Sequence, residues 1–107
     1  MIRRRGGQRN PVSSRRAGRL VPSRAVGLRA GSVFLKPGGV MDWHSTKRRE
    51  ELLIVLTGRI QVEARPRRRM LVSQGQSLLL PTGTWHRILN RSRRRAHYLY
   101  VTGAGGR

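Results

Sequence analysis

Two of the chain's three histidines lie in short stretches where other polar side chains accompany them. The first stretch contains Asp42, His44 and Thr46, whose two-residue spacing would place them on one face of a strand. Glu51 follows after a short polar loop and begins an apolar run, and His86 lies in the second stretch. The chain has no cysteine, so any metal bound here would depend on imidazole, carboxylate or other oxygen ligands.

Turn-forming residues flank both stretches. Gly58 ends the apolar run that follows the first stretch and permits the tight turn that sends the chain back. Pro81 and Gly83 predict a turn directly before the strand that carries His86, and Asn90 falls on the same face of that strand as His86. Each histidine is therefore expected on a strand bounded by a turn.

The pattern from residue 25 to residue 107 predicts a single all-β domain. Short apolar runs alternate with Gly- and Pro-containing turns, and no segment shows a long apolar stripe at helical spacing. About eight strands in about 80 residues are typical of a closed barrel or a two-sheet sandwich. The predicted strands are 26–35, 40–46, 51–57, 59–65, 70–73, 77–80, 85–90 and 96–102.

Together, these stretches resemble the two motifs of the cupin superfamily. The first family motif is Gly, five residues, His-x-His, three or four residues, Glu, six residues, Gly. The second is Gly, five residues, Pro-x-Gly, two residues, His, three residues, Asn. The chain matches the second motif throughout and the first at all but one position, where Thr46 replaces a histidine. The matched positions are Gly38, His44, Glu51, Gly58, Gly75, Pro81, Gly83, His86 and Asn90. The resemblance covers roughly residues 26–102 and implies a cupin-type jelly-roll β-barrel.

The resemblance also implies a metal site inside the barrel, formed by His44, Glu51 and His86. Two imidazoles and one carboxylate, with open coordination positions, suit non-haem Fe(II), and Mn, Ni or Zn accept the same donors. The candidate pocket residues around these ligands are Asp42, Thr46, Arg48, Arg49 and Asn90. One alternative stays open: some cupins keep the fold without metal, and a buried histidine can simply be a hydrogen-bonded core residue.

The charge of the chain is unusual. Twenty-four Lys and Arg residues face four acids, which gives a formal net charge of +20. Such an excess fits an anionic ligand, an acidic partner or nucleic acid, and it also fits a coding bias toward Arg. Basic stretches 47–49, 65–69 and 91–95 lie at predicted turns, where solvated charge is expected. In the first of them, Arg48 or Arg49 could steer a carboxylate or phosphate toward the site.

Residues 1–24 differ in composition from the rest of the chain. They contain eight Arg and no acid, without a sustained apolar period, which predicts a disordered basic N-terminal tail. The alternatives are a basic arm for nucleic acid, an organelle transit segment and an extension from a misplaced start codon.

Two runs, 52–56 and 78–80, are apolar on both strand faces, whereas a small barrel has only one interior. Something else should cover the outer face of these strands, and a second copy of the chain is the simplest cover. We therefore predict a homodimer. The alternative is that the N-terminal segment folds over this face.

Alternation also assigns the aromatic side chains to strand faces. Trp43 and Trp85 fall opposite the histidine of their own strand, which predicts that they lie outside the pocket. His97 lies opposite Tyr98 and Tyr100, and the sequence leaves open which of these two faces lines the barrel.

Three functions are consistent with these features. The first is a metal-dependent enzyme, dioxygenase- or isomerase-like, that acts on a small polar molecule, with an anion among the candidates, by oxygen-dependent or Lewis-acid chemistry. The second is a non-catalytic cupin that binds or senses a small ligand. The third, which the sequence does not favour, is nucleic-acid binding through the tail and the Arg clusters. Asp42 is the only other acid predicted near the site, which weakens acid–base schemes.

The distribution of apolar residues argues against a membrane protein. No apolar run approaches the roughly 18–20 residues that span a bilayer, and no signal-peptide pattern is visible. We expect a soluble, cytoplasmic protein.

Overall fold

The structure is a computed structural model and describes residues 18–22 and 24–104. All the regular secondary structure in these residues is β-strand. The strands are β1 Gly18–Arg19, β2 Leu28–Leu35, β3 Val40–Ser45, β4 Arg49–Thr57, β5 Arg59–Ala64, β6 Arg68–Ser73, β7 Ser77–Leu80, β8 Trp85–Leu89 and β9 Ala96–Ala104. Within those residues no helix is long and apolar enough to cross a membrane.

The strands form two antiparallel sheets. One has five strands in the order β1-β2-β9-β4-β7, and the other has four in the order β3-β8-β5-β6. Sequence neighbours such as β3 and β4 lie in different sheets, so the chain crosses repeatedly between the two layers. This arrangement confirms the predicted all-β, cupin-type jelly roll.

Both sheets contribute side chains to one core. Residues of the five-stranded sheet and of the four-stranded sheet pack together in a single buried apolar cluster. Its members are Val33, Leu35, Leu53, Val55, Ile60, Val62, Val72, Leu80, Ile88, Ala96 and Tyr98. In β5 the side chains of Ile60, Val62 and Ala64 are buried, and Gln61 on the opposite face is buried as well.

The aromatic face of β9 is the one that lines the barrel. Tyr98 is 1% exposed, and it packs in the core with half-buried Tyr100 against it. His97 faces outward instead and stacks on Phe34, with ring centroids 4.0 Å apart. Trp85 is 51% exposed on the outer side of β8, as its alternation with His86 predicts.

One strand lies within the segment predicted to be a tail. β1 pairs antiparallel with β2, and the Leu20 N–H continues the pairing by donating to the Ala30 carbonyl at 2.9 Å. Backbone pairing of this kind needs no apolar side chains, so the Arg-rich composition gave no sign of it. The rest of the predicted tail, residues 1–17 and 23, lies outside the described residues.

Candidate metal centre

His44 and His86 are direct cross-strand partners. β3 pairs with β8 so that the two residues lie opposite each other, and their ring centroids are 4.3 Å apart at an interplanar angle of 59°. Glu51 comes from β4, in the other sheet, and a ligand atom from each of the three residues lies within 4.8 Å of the others. The fold therefore brings together the three residues that the motif resemblance selects.

Both imidazoles are held through the same ring atom. Nδ1 of His44 lies 2.6 Å from the carbonyl oxygen of Asp42, and Nδ1 of His86 lies 3.0 Å from that of Thr84. A carbonyl can only accept a hydrogen bond, so each Nδ1 carries a proton, and in the neutral ring Nε2 then keeps its lone pair. Metal-ligating histidines are oriented in this way by the hydrogen bond of the second ring nitrogen.

Nε2 of His86 is a buried polar atom without a partner. The residue is fully buried, and among the described residues nothing makes a hydrogen bond with this atom. The nearest carboxylate oxygen, Oε1 of Glu51, is 3.9 Å away, beyond hydrogen-bond reach. Burial is the main factor that lowers the pKa of His86, and the nearby His44 adds to it, so the ring is neutral at physiological pH.

Glu51 is largely buried, with its side chain 12% exposed, which makes its negative charge costly. Its direct cross-strand partners are Leu80 on β7 and Thr102 on β9. Burial raises the pKa of the Glu51 carboxyl, and His44 partly offsets this effect. A bound cation would stabilise the carboxylate and give Nε2 of His86 a partner, so this donor set fits a divalent metal ion.

Thr46, which replaces the second histidine of the family motif, has a structural role. Its buried hydroxyl donates to the Pro81 carbonyl at 2.8 Å and accepts from the Thr84 N–H at 2.9 Å. These two bonds fix the turn that precedes His86 and place the Thr84 carbonyl that orients the His86 ring. Thr46 therefore positions a ligand.

The candidate pocket residue Asp42 lies outside the pocket, which corrects the prediction that it shares a face with His44. A β-bulge between Met41 and His44 shifts the register with β8, so the two-residue alternation fails there. The Asp42 carboxylate is exposed and accepts from the Trp43 N–H at 2.8 Å. Its contribution to the site is the backbone carbonyl that His44 contacts.

Asn90 also lies away from the ligands, at the opposite end of β8. Its side-chain amide donates to the carbonyls of Leu35 and Arg94, and its oxygen accepts from the backbone and side chain of Ser92. All of this hydrogen bonding holds the turn after β8. The alternation correctly places Asn90 in the interior, but the residue stabilises the fold and does not line the site.

The two arginine candidates differ in position. Arg48 is exposed in the turn between β3 and β4, whereas Arg49 is half-buried. The Arg49 guanidinium donates to the Thr102 hydroxyl at 2.9 Å and to the Thr102 and Gly27 carbonyls at 3.1 and 3.2 Å. Arg49 is two residues before Glu51 on the same strand, so the two residues share the inward face and Arg49 lies at the barrel mouth.

Two residues near the ligands were not predicted from sequence. Thr102 is the cross-strand neighbour of Glu51 and anchors Arg49, and the Thr84 carbonyl orients His86. The position of Thr102 follows only from the register of β9 against β4. The role of the Thr84 carbonyl could have been inferred, because the residue two positions before a strand histidine can offer it a carbonyl.

A family model described as "Cupin domain" matches residues 31–102, which include all three candidate ligands. The chain belongs to the cupin family. No curated protein sequence matches this cupin.

Solved structures similar to this cupin share its fold. The Cnp3 cupin domain of Schizosaccharomyces pombe has a TM-score of 0.75 at 17% identity, covering 82% of this chain and 63% of that one. A cupin 2 conserved barrel domain protein from Salinispora arenicola has a TM-score of 0.71 at 24% identity, covering 82% and 74%. An oxalate oxidase in complex with the substrate analogue glycolate has a TM-score of 0.68 at 21% identity, covering 73% of this chain and 42% of that one.

Proposed function

We propose that this cupin binds a divalent metal ion through His44, Glu51 and His86 and uses the site to hold a small anionic molecule. The observation that carries the proposal is the unpartnered, buried Nε2 of His86, 3.9 Å from the partly buried carboxylate of Glu51. Without a cation, no described residue gives Nε2 of His86 a hydrogen-bond partner, and the Glu51 carboxyl is costly to ionise. Fe, Mn, Ni and Zn all accept this donor set.

A divalent ion with only three protein ligands supplies a Lewis-acid or oxygen-activating centre with open coordination positions. The chain's own residues prepare the site for such an ion. Backbone carbonyls fix both imidazoles, and Leu80 and Leu53 form an apolar wall beside Glu51 that limits the access of water. Of the four acids in the chain, only Glu51 faces the interior, so a mechanism with paired carboxylates is not favoured.

Positive charge around the barrel mouth supports an anionic ligand. Arg49 lies at the mouth, and the turns 46–48 and 65–67 lie at the sheet end where His44 and His86 are paired. Lys47, Arg48, Arg65 and Arg67 are exposed in those turns. Such a ring of charge raises the local concentration of an anion and speeds its entry.

The size and type of the ligand are suggested by a fold relative. The oxalate oxidase described above has been solved with glycolate, a small hydroxy acid, as a substrate analogue. A small carboxylate of this kind would present one oxygen donor to an open metal position and a charge to Arg49. We take glycolate as the probe of the proposal.

The test is calorimetric titration of the Mn- or Ni-loaded protein with glycolate and with glycolamide, its neutral analogue. We expect saturable binding of glycolate at least about tenfold tighter than that of glycolamide, because charge-assisted contacts contribute about 1.5–3 kcal/mol. Arg49→Gln should remove most of this preference, whereas Arg48→Gln, which removes the same charge at an exposed position, should have little effect. Equal affinity for both probes would contradict the anionic ligand while leaving the metal claim intact.

We further propose that a second copy of the chain covers the outer face of the five-stranded sheet. Apolar side chains cluster at outward positions of this face, with Ser32 and Ser77 beside them: Leu52, Ile54, Leu56, Leu79, Leu99 and Val101. In a chain of net charge +20, an uncharged face of this extent allows two copies to meet without like-charge repulsion. Residues 1–17 contain six Arg and no acid, which makes that segment a poor cover for apolar side chains.

Leucine substitutions on the two sheets provide a matched test of the dimer. Leu79 is 54% exposed on the five-stranded sheet, and Leu71 is 59% exposed on the four-stranded sheet. We expect light scattering to give a dimer for the wild type and for Leu71→Glu and a monomer for Leu79→Glu. A monomeric wild type at micromolar concentration would refute the dimer.

A further inference from the structure

A cluster of arginine and tryptophan side chains occupies the outer face of the four-stranded sheet, on the side away from the metal ligands. The Cζ atom of Arg65 lies 4.4 Å from the ring centroid of Trp43, and that of Arg87 lies 5.2 Å from it. Both distances are within the range of cation–π contacts. The Trp43 ring therefore holds two guanidinium groups side by side on this surface.

The Glu63 carboxylate on this face is already neutralised. It accepts from Arg87 Nε and from the Gln61 amide, both at 2.8 Å, and the other acid on this side of the sheet is the exposed Asp42 at the β3 bulge. The bond from Arg87 is the main reason why the pKa of Glu63 is lowered. Arg65 and Arg67 in the turn 65–67, and Arg68 and Arg69 at the start of β6, are exposed and leave the face strongly positive.

An exposed indole borders the same positive region. Trp85 is 51% exposed and lies next to Arg65, whose N–H donates to the Trp85 carbonyl at 2.9 Å. On the other side of Trp85, its cross-strand partner Ser45 leads into the turn that contains Lys47 and Arg48. An aromatic surface in this setting is open for stacking and is surrounded by cations.

The charge of the face excludes a second copy as its partner, because two such surfaces would repel each other. A partner must supply negative charge for the arginines, and the exposed ring of Trp85 favours one that also supplies flat rings. Single-stranded nucleic acid has both, with phosphates spaced along the backbone and bases that stack on aromatic side chains. We infer that the outer face of the four-stranded sheet, centred on Trp85, Arg65 and the arginines 67–69, binds single-stranded nucleic acid.

The metal ligands do not belong to this surface, and the two sites share only the exposed charge of the turns beside the barrel mouth. His44 and His86 project from the same two strands as Trp43 and Trp85, but into the interior of the barrel. Binding of nucleic acid should therefore be independent of metal, and His86→Ala or a chelator should not weaken it. The independence makes the failure of this inference distinguishable from failure of the metal proposal.

The test uses fluorescence anisotropy of a labelled oligo(dT) of about 12 nucleotides, a length within the usual site size, with the full chain at about 150 mM salt. Trp85→Ala should weaken binding by at least about fivefold, the lower end of the loss for one stacked base. Replacement of Arg67 and Arg68 by Gln should weaken binding and flatten its salt dependence. The same double change at Arg93 and Arg94, exposed in the turn at the opposite end of the sheet, is the matched charge control.

The variant with Arg93 and Arg94 replaced by Gln distinguishes binding by this face from nonspecific binding by the net positive charge of the chain. We expect the Arg93 and Arg94 variant to retain affinity within about twofold of the wild type, although it has lost the same charge as the Arg67 and Arg68 variant. Equal losses in the two double variants, together with no effect of Trp85→Ala, would overturn the inference and show a general polycation. Tighter binding of poly-glutamate than of oligo(dT), unaffected by Trp85→Ala, would overturn it in favour of an acidic protein partner.

Discussion

The Nε2 atom of His86 lies 3.9 Å from Oε1 of Glu51, and the two residues come from different sheets of the barrel. This separation is too long for a hydrogen bond, yet Nε2 is buried and the described residues offer it no other partner, while the Glu51 side chain is largely buried at 12% exposure. The pair is costly for the metal-free protein, since the imidazole is left without a partner and the carboxylate is poorly solvated. The first prediction follows from this cost.

Replacement of Glu51 by Gln should stabilise the metal-free protein at neutral pH. Burial raises the pKa of Glu51 above its ordinary value of 4.5, so the folded state binds the proton more tightly than the unfolded state. The ionised carboxylate therefore destabilises the fold increasingly as the pH rises from about 4.5 through the folded pKa, and not below. With chelator present, we expect the melting temperature of Glu51→Gln to exceed that of the wild type by about 4–8 °C at pH 8, which corresponds to about 1 kcal/mol.

The control for this experiment is Glu50→Gln, which removes the neighbouring, exposed carboxylate. Glu50→Gln should leave the melting temperature nearly unchanged at pH 8 and at pH 4. At pH 4 the Glu51→Gln variant should be no more stable than the wild type. A variant that is less stable than the wild type at pH 8 would mean that the Glu51 carboxylate contributes favourable contacts instead of a buried charge.

Replacement of Thr46 by Val should destabilise the fold without removing the metal. The change leaves the Thr84 N–H and the Pro81 carbonyl without the hydroxyl that joins them, which should cost about 1–3 kcal/mol in chemical denaturation. Thr84→Val, which removes only one bond to the same carbonyl, should cost less. A Thr46→Val protein as stable as the wild type would contradict this structural role of the hydroxyl.

Two motif glycines should respond differently to alanine. Gly58 has a φ of 80°, and a Cβ there would lie 2.7 Å from the Arg95 carbonyl oxygen and 2.9 Å from the Ala96 Cα. Gly75 has a similar φ of 82° but nothing within 4 Å of the same point. Gly75→Ala should therefore lower the free energy of unfolding by only about 1–2 kcal/mol, which is the cost of a left-handed backbone at a residue with a Cβ. Gly58→Ala should lower it distinctly more, and equilibrium unfolding measures both. Equal costs would contradict the close packing of β9 against the turn at Gly58.

Much of this architecture could be predicted because strand alternation and turn residues are local features. The apolar runs located β4, β7 and β9, and the glycine, proline and histidine spacing selected the three residues that meet inside the barrel. Those spacings reflect physical needs: Gly58 must allow close approach of the chain after β4, and the buried Asn90 side chain must satisfy four backbone and side-chain groups, three of them in the turn that follows β8.

The features that could not be predicted depend on register and on three-dimensional pairing. The bulge that turns the Asp42 carboxylate outward leaves no mark in the alternation of residues 40–46. The anchoring of Arg49 by Thr102 joins residues far apart in sequence, and the sharing of Trp43 by Arg65 and Arg87 joins three strands. Such relationships follow from how the sheets pair, which a single sequence does not specify.

The central claim is that His44, Glu51 and His86 hold a metal ion, and elemental analysis of the untagged protein tests it most directly. Wild type, His86→Ala and His97→Ala should be purified together, since His97 is the histidine on the outer face of the barrel and provides a matched control. We predict near-stoichiometric Fe, Mn, Ni or Zn in the wild type and in His97→Ala, and its loss in His86→Ala. Absence of metal from all three proteins, even after incubation with each ion, would contradict the claim.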